Sequence, residues 1–364
     1  MRLVYFTGAI LLFVLPSAAC SRQKSTAEAA DKAPGSSSAI ADASPAAPEP
    51  NGPLPAINAA RAFQYTKEVT GFGPRPIGSA NHKKLENYIY AHLKGDEVVD
   101  DVFTADTPEG KFPARNIIAK YPGTRDGIIV IAGHYDTPYN LRSTPFVGAN
   151  DGGSSTGILL EFANQFRGKK RDGYSVWLVW TDAEEAVRQW SSTDSLYGTR
   201  QLADLWQKNG TLGKIKSYLL VDMIGDADLS IDRDQNSTAW LLDLVSQAAS
   251  RYGYQSHFFT RTTAIEDDHL PFVRKGVPSA DIIDLDYGYG NAFHHTPQDT
   301  MDKLSPKSFQ IVGDTVLETV RMLDALQTLP VNQASPAEPV SCTNHKSYQR
   351  NPRYFPQYGD NCGT

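Results

Sequence analysis

The sequence predicts a single globular α/β domain in which a central, mostly parallel, twisted sheet carries helices on both faces. Two observations lead to this prediction. From about residue 59 onward, strand-like apolar runs alternate with helix-like segments, the pattern of a doubly wound sheet. The most apolar run, residues 174–180, is hydrophobic at nearly every position, as expected of a strand buried on both faces.

Composition agrees with one enzyme-sized domain and excludes one large class of function. The chain has 364 residues, of which 40% are hydrophobic and 21% charged, so it can bury a substantial core. Its formal net charge is −6, without the basic excess that nucleic-acid binding requires. We therefore expect no nucleic-acid partner, and we expect the protein to be a monomer.

The amino terminus has the layout of a cleaved export signal. Arg2 precedes an apolar run, residues 3–15, which is too short to span a bilayer, and small residues follow it. Cys20 comes directly after them and resembles the lipidated cysteine of bacterial lipoproteins. Residues 1–20 are thus predicted to be a lipoprotein-type signal peptide with Cys20 lipidated, and plain secretion is the alternative.

The remaining boundaries follow from composition. Residues 21–56 are rich in Ala, Pro and Ser and are predicted to be a disordered linker, residues 57–330 the catalytic domain, and residues 331–364 a tail. In an exported protein, Cys342 and Cys362 of this tail are expected to form a disulfide. The expected location is the bacterial cell envelope, facing the periplasm, with membrane contact only through the lipid.

Turn-forming residues separate the elements of the first half of the domain. A helix is predicted at 60–69, and the loop at 71–78 is dense in Gly and Pro. Ser79 is a suitable N-cap for the next helix. Strands are then predicted at 98–103, 116–121 and 128–132, and a helix at 152–166.

The second half continues the alternation after the central strand at 174–180. Its elements are predicted as a helix at 195–206, a strand at 218–223, a helix at 237–251, a short helix at 269–274, a strand at 280–285 and a closing helix at 305–326.

Polar residues follow several of these strands. Because ligands bind at the carboxyl ends of parallel strands, these groups are expected to meet at one rim of the sheet. Each has a simpler explanation by itself; Asp151, for example, could cap the helix that Gly152 opens. Together they favour a zinc site, since His nitrogen and Asp or Glu oxygen bind zinc. The groups are His134-Tyr135-Asp136, Asn150-Asp151, Glu184-Glu185, Asp222 and His294-His295.

These residues resemble the zinc exopeptidase superfamily, whose members include di-zinc aminopeptidases and glutaminyl cyclases. The resemblance covers roughly residues 59–329, with the motifs in the family's order. The segments 184–200 and 266–278, with Trp190 and Asp267, resemble the animal-type glutaminyl cyclases in particular. One departure is that cyclases usually have Trp before the last ligand His, where this chain has His294.

The cyclase resemblance implies a catalytic centre with one zinc ion. Asp151, Glu185 and His295 would hold the ion, which would polarise the side-chain amide of an N-terminal glutamine. Glu184 would carry a proton from the α-amine to the departing ammonia. The expected substrates are therefore peptides or proteins with N-terminal glutamine, and the product is pyroglutamate.

The resemblance also implies roles around this centre. Asp222 and Asp267 would form a hydrogen-bonded acidic pair, since two carboxyl groups that close are expected to share a proton. Trp190 would form an apolar wall for the glutamine. The remaining residues expected to contact substrate are Phe293, Tyr289 and His294.

The alternative is a di-zinc aminopeptidase that uses the same residues. Asp151 would bridge two ions, His134 and Asp222 would bind the second, and Glu184 would activate a water that hydrolyses the N-terminal peptide bond. One zinc is expected for the cyclase and two for the aminopeptidase.

Overall fold

The structure is a computed structural model, and it describes residues 50 and 52–330. Cys20, Cys342 and Cys362 lie outside the described residues, as do the predicted signal peptide and the tail. Within residues 50 and 52–330, no helix combines the length and the apolar character needed to cross a membrane.

The core of the domain is a six-stranded mixed sheet. Its order is β1-β2-β4-β3-β5-β8, with β3, β4, β5 and β8 parallel and β1 and β2 joined to the edge of β4 in antiparallel pairings. The predicted mostly parallel α/β sheet is therefore confirmed. The strands are β1 (Glu97–Thr107), β2 (Gly110–Tyr121), β3 (Gly123–His134), β4 (Arg171–Thr181), β5 (Ile215–Asp222) and β8 (Ser279–Ile283).

Helices cover both faces of the sheet, as predicted. Side chains of β3 alternate between two separate cores: Ile129 and Ile131 belong to the larger one, and Val130 and Ala132 to the smaller one on the opposite face. Helices α1, α2, α3, α5 and α7 supply the larger core, whereas α4 and α6 supply the smaller. The helices are α1 (Ala59–Thr70), α2 (Ala80–His92), α3 (Gly153–Phe166), α4 (Tyr197–Lys208), α5 (Ala239–Arg251), α6 (Leu270–Val273) and α7 (Pro306–Ala325).

Local sequence signals explain where these elements begin. Ser79 caps α2 as predicted, because its side chain accepts a hydrogen bond from the backbone N–H of His82. Ser305 caps α7 in the same way, and Pro306 opens that helix. The predicted strand at 174–180 lies within β4, between β2 and β3, and Trp180 is completely buried.

Two strands were not predicted. β6 (Ile231–Asp234) and β7 (Phe258–Thr263) form a separate two-stranded parallel sheet. β6 has only four residues and β7 exposes every second side chain, so neither gives a clear apolar run. The register of the main sheet aligns His134 with Thr181 and Asp222 with Ile283, which places several strand ends at one rim.

Candidate functional site

The predicted site residues meet at this rim. His134 ends β3, Asp222 ends β5, and Glu184 and Glu185 follow β4. Asp151 precedes α3, and all five side chains are buried. The sheet topology thus brings together groups that are far apart in the sequence.

One set of donor atoms surrounds the ring of His295. His295 Nε2 lies 3.2 Å from Asp151 Oδ2 and 3.2 Å from Glu185 Oε1. The His295 side chain is 41% exposed, so this group opens to solvent. We call Asp151, Glu185 and His295 the outer triad.

A second set surrounds His134. His134 Nε2 lies 3.2 Å from Asp151 Oδ1 and 3.2 Å from Asp222 Oδ1. We call His134, Asp151 and Asp222 the inner triad. Asp151 contributes one carboxylate oxygen to each triad, the arrangement of a bridging ligand.

Asp151 does not cap the helix that follows it. Gly152 is the N-cap residue of α3, in the left-handed conformation at φ 73°, and no side chain caps this end. The capping alternative for Asp151 is therefore wrong. The helix start instead turns the carboxylate toward the two imidazoles.

The donor set fits a divalent cation such as zinc. Two atoms bound to one tetrahedral zinc, each at about 2.1 Å, lie about 3.4 Å apart. The carboxylate oxygens around His134 Nε2 and His295 Nε2 lie close to that separation, at 3.2 Å. Asp151 Oδ2 is buried and makes no hydrogen bond in the described part of the chain. The buried carboxylates outnumber the imidazoles, and bound cations compensate such an excess.

His294 adds a further nitrogen beside the outer triad. Asp151, His294 and His295 each place one donor atom within 4.8 Å of the others. Asn291 Nδ2 donates to His294 Nδ1 at 3.1 Å. Burial and the neighbouring His295 lower the pKa of His294 to about 3, so this imidazole is neutral.

The two glutamates occupy different environments because of a tight turn. Ala183 has φ 54°, and the Asp136 carboxylate accepts the backbone N–H groups of Glu184 and Glu185, at 3.1 and 3.3 Å. Glu185 faces His295, whereas Glu184 Oε2 lies 3.9 Å from His134 Nδ1. Successive side chains therefore point to different parts of the site.

Burial raises the pKa values of three acids at this rim. Burial, together with the charge of Glu185, raises the pKa of Glu184 well above its usual range. Burial raises the pKa of Glu185 to about 7. Burial and the charge of Asp222 raise the pKa of Asp267 strongly. The hydrogen bond between Asp222 and Asp267 stays a prediction.

The segment with Trp190 reaches the segment with Asp267. Trp190 Nε1 donates to Glu266 Oε2 at 3.4 Å, and Glu266 directly precedes Asp267. Phe293 packs edge-on against Tyr287, with ring centroids 5.3 Å apart. Tyr289 is 97% exposed, on a loop beside these aromatic residues.

Asp194 holds the Trp190 loop together. Its buried carboxylate accepts the backbone N–H groups of Val187, Arg188 and Gln189 at 2.8–2.9 Å, and the Tyr197 hydroxyl at 2.8 Å. The sequence resemblance included Asp194 without indicating this role.

We expect the Asp194→Ala variant to have a KM about tenfold higher for a substrate that contacts Trp190. The reason is that several charge-assisted hydrogen bonds are lost, so the loop that carries Trp190 is no longer held in place. The expected change in kcat is small, since the Asp194 carboxylate bonds to Val187, Arg188, Gln189 and Tyr197 and to no side chain of either triad. Steady-state kinetics measures both, with Asp194→Asn as the control that keeps one acceptor oxygen. A loss of kcat at unchanged KM would contradict this assignment.

Sequence reasoning missed Asp299, which connects the two loops of the outer triad. Its carboxylate accepts the backbone N–H of Asn150 at 2.8 Å and of Asp151 at 3.2 Å, and the Tyr287 hydroxyl at 2.9 Å. Asp299 follows His295 by four residues, and this proximity to a motif was its only signal.

Arg75 was also missed as a supporting residue. It is completely buried, and its guanidinium donates to the backbone carbonyls of Val147 and Gly148 at 2.5 and 3.0 Å. Arg75 therefore fixes the segment that leads to Asp151. An arginine in a loop of Gly and Pro could have suggested such a role.

The fold and the site together define a metal-dependent α/β enzyme of the zinc exopeptidase type. The model of the Peptidase family M28 matches residues 116–320. The chain belongs to this family.

This chain is similar to three named proteins. The glutaminyl-peptide cyclotransferase of Drosophila melanogaster is 30% identical over 254 residues, which are 62% of this chain and 70% of that relative. A glutaminyl cyclase from an Acidobacteriales bacterium, known from a crystal structure, has 50% sequence identity to this chain and a TM-score of 0.74. The match covers 77% of this chain and 98% of the cyclase chain. A Zn-dependent exopeptidase from Parabacteroides distasonis, also known from a crystal structure, has 28% sequence identity and a TM-score of 0.66. The match covers 74% of this chain and 99% of the exopeptidase chain.

Proposed function

We propose that this protein is a zinc-dependent glutaminyl-peptide cyclotransferase, which converts the N-terminal glutamine of peptides or proteins to pyroglutamate and releases ammonia. The observation that supports this most is the meeting of Trp190 with Glu266, beside Asp267. These residues belong to the two segments that resemble glutaminyl cyclases. Similarity to relatives named as cyclases supports the same reaction.

The outer triad is proposed to hold one zinc ion through Asp151 Oδ2, Glu185 Oε1 and His295 Nε2. A zinc ion there would supply Lewis-acid polarisation of the glutamine side-chain carbonyl. The donor distances of 3.2 Å around His295 support this assignment. In this one-zinc arrangement, His134 lies 3.2 Å from both Asp151 and Asp222 and would orient the Asp151 carboxylate.

Glu184 is proposed as the catalytic proton carrier. The α-amine of the substrate attacks the side-chain carbonyl carbon, and Glu184 accepts a proton from that amine. The carbon–nitrogen bond of the amide then breaks, and Glu184 returns the proton to the departing ammonia. Asp222 and Asp267 are proposed to form a hydrogen-bonded pair near the leaving nitrogen. The raised pKa of Glu184 suits a group that must both take and give a proton.

The pocket for the glutamine side chain is proposed to lie between Trp190 and the loop of Phe293 and His294. Tyr289 would contact the residues of the peptide that follow the glutamine, since its ring faces solvent. His294 stands where cyclases usually have Trp and is neutral, so it can serve as a hydrogen-bonding wall.

A di-zinc aminopeptidase is the second candidate, and one observation favours it. The inner triad has the same 3.2 Å donor separations as the outer triad. A second ion held by His134, Asp151 and Asp222 would leave Glu184 to activate a water. Metal analysis of the purified protein distinguishes the two, with about one zinc per chain for the cyclase and about two for the aminopeptidase.

The test of the proposed function compares two peptides that differ only in their first residue, which is glutamine in one and leucine in the other. We expect ammonia to be released from the glutamine-initiated peptide and neither peptide to be shortened. A coupled ammonia assay and chromatography of the products measure this. The proposal would be contradicted if free leucine were released from the leucine-initiated peptide and no ammonia were released from the glutamine-initiated peptide.

We also propose export to the bacterial cell envelope, with Cys20 lipidated and Cys342 bonded to Cys362. The signal-like residues 1–20 and the even pair of tail cysteines support this. The mass of the mature protein tests both features, because lipid adds mass to Cys20 and reduction of the disulfide adds two hydrogens.

A further inference from the structure

A third group of metal-ligating residue types shares no residue with the outer and inner triads. Asp234 lies on β6, Asp281 lies on β8, and His269 directly precedes α6. All three residues are at most 1% exposed. Each of them offers one donor atom that lies within 4.8 Å of the donor atoms of the other two. We call these residues the third triad, and the proposed reaction does not use them.

The third triad lacks the hydrogen bonds that buried polar groups normally make. His269 Nε2 lies 3.0 Å from Asp234 Oδ2, and His269 Nδ1 lies 3.6 Å from Asp281 Oδ2. Within the described residues, neither ring nitrogen of His269 and neither oxygen of Asp281 makes a hydrogen bond. Buried polar atoms without a partner are rare in folded proteins and point to an ion or another ligand. Asp151 Oδ2 has the same feature in the outer triad.

Other hydrogen bonds hold the two carboxylates in place. Asp234 Oδ1 accepts the backbone N–H groups of Asn236 and Ile265, at 3.0 and 2.9 Å. The Ser237 hydroxyl donates to Asp234 Oδ2 at 2.7 Å and accepts the backbone N–H of Asp281 at 3.0 Å. Metal-binding carboxylates are commonly oriented by such outer hydrogen bonds. Ser237 therefore joins the two acidic residues of the third triad.

The charges of the third triad favour a cation. It combines two carboxylates with one imidazole, and among the described residues the ion-pair partner of Asp281 is His269. Burial raises the pKa of Asp281 well above its usual range, because a carboxylate without a positive neighbour is disfavoured in the interior. A divalent cation would supply that positive charge.

The donor types indicate which cation would bind. Since both oxygens of Asp281 lack a hydrogen bond, the third triad can offer three carboxylate oxygens and one imidazole nitrogen. Mg²⁺ and Ca²⁺ take oxygen ligands almost exclusively, so the imidazole disfavours them. Carboxylates suit Mn²⁺, whereas the common structural zinc sites contain thiolates. An oxygen-rich set with one nitrogen therefore favours Mn²⁺.

We propose that Asp234, His269 and Asp281 form a buried structural site for Mn²⁺, separate from the zinc site of the outer triad. The ion is bound as the chain folds, since the three side chains are closed off from solvent. It joins the small sheet, the edge strand β8 of the main sheet and the turn before α6. The ion therefore stabilises the fold and takes no part in the proposed reaction.

Elemental analysis for manganese and zinc tests this proposal on the full-length protein, produced in a medium with added MnCl2. In the wild type we expect about one Mn²⁺ per chain, retained after gel filtration in metal-free buffer. In Asp281→Asn we expect manganese to fall below about 0.1 per chain, because the amide removes one of the two negative charges. The zinc content is expected to stay the same.

Two further variants serve as controls. Asp284 is also buried, directly follows β8 and has one oxygen without a hydrogen bond, but it does not belong to the third triad. Asp284→Asn is therefore expected to keep its manganese. Asp151→Ala lacks a ligand of both other triads and is also expected to keep it. Loss of manganese from Asp151→Ala would place the ion in the outer or inner triad and overturn the proposal.

Thermal unfolding gives a second readout. We expect protein produced with MnCl2 to have a Tm about 5 °C higher than protein produced without it, because the ion binds only the folded chain. Asp281→Asn is expected to show no such difference. If Asp281→Asn does not fold, His269→Gln takes its place with the same two expectations.

The proposal is overturned if the wild type contains less than about 0.1 manganese per chain, or if the variant contains as much as the wild type. Manganese content does not depend on catalysis. A protein that forms no pyroglutamate would therefore refute the proposed function, whereas the manganese analysis alone decides on the third triad.

Discussion

Glu184→Gln is expected to reduce kcat by about a thousandfold or more while zinc stays bound, because a glutamine amide cannot accept the proton of the α-amine. The substitution keeps the size of the side chain and the turn that Asp136 holds. Glu184 is not among the donor atoms around His295, so the outer triad is intact. Stopped-time assays of ammonia release and elemental analysis of the same sample measure the two quantities.

The matched control is Glu185→Gln at the adjacent position. Glu185 Oε1 is one of the two oxygens beside His295 Nε2, so this variant is expected to lose zinc together with activity. If instead Glu184→Gln loses its zinc and Glu185→Gln retains it, the two glutamates have exchanged roles and the proposed mechanism is wrong.

Asp151→Ala is expected to lose all measurable activity and its bound zinc. Asp151 is the only residue that contributes an oxygen to both triads, so its removal takes a ligand from either possible ion. The buried charge that opposes the imidazoles also disappears. Elemental analysis and kcat check the prediction, and circular dichroism verifies that the variant is folded.

His134→Gln distinguishes the one-zinc and two-zinc accounts. His134 belongs to the inner triad only. The cyclase account predicts that this variant keeps about one zinc per chain, as the wild type does, whereas the aminopeptidase account predicts a fall from two to one. Retention of zinc by Asp151→Ala would contradict both accounts.

The main features of the fold were accessible from the sequence because β3 and β4 each contain an apolar run that is followed by polar residues. A strand buried on both faces produces that pattern, and parallel strands bring their carboxyl ends to one rim. The structure places His134, Glu184 and Asp222 there, at or just beyond the ends of three strands.

Other features depend on contacts that a linear pattern does not contain. The sequence left two roles open for Asp151, since one carboxylate can either cap a helix or face imidazoles. The left-handed conformation of Gly152 determines the role, because it sets the path of the backbone at the start of α3. Arg75 and Asp299 form hydrogen bonds with the backbone of the loop before α3. Arg75 lies 72 residues from its partner Val147, and Asp299 lies 148 residues from its partner Asp151. Strand β6 was missed because it is short and half of it is acidic.

The surroundings of His269 show the same limit. His269 was visible as part of a motif, but Asp234 and Asp281 lie on β6 and β8, which belong to different sheets. Only packing of the two sheets brings these carboxyl groups to one ring. A buried histidine of this kind cannot be recognised from its neighbours in the sequence.

The most direct test of the proposed function is mass spectrometry of one glutamine-initiated peptide after incubation with the zinc-loaded protein. Cyclisation predicts an intact peptide that is lighter by one ammonia and blocked at its amino terminus. A peptide shortened by its first residue, with free glutamine released, would contradict the proposal and identify an aminopeptidase.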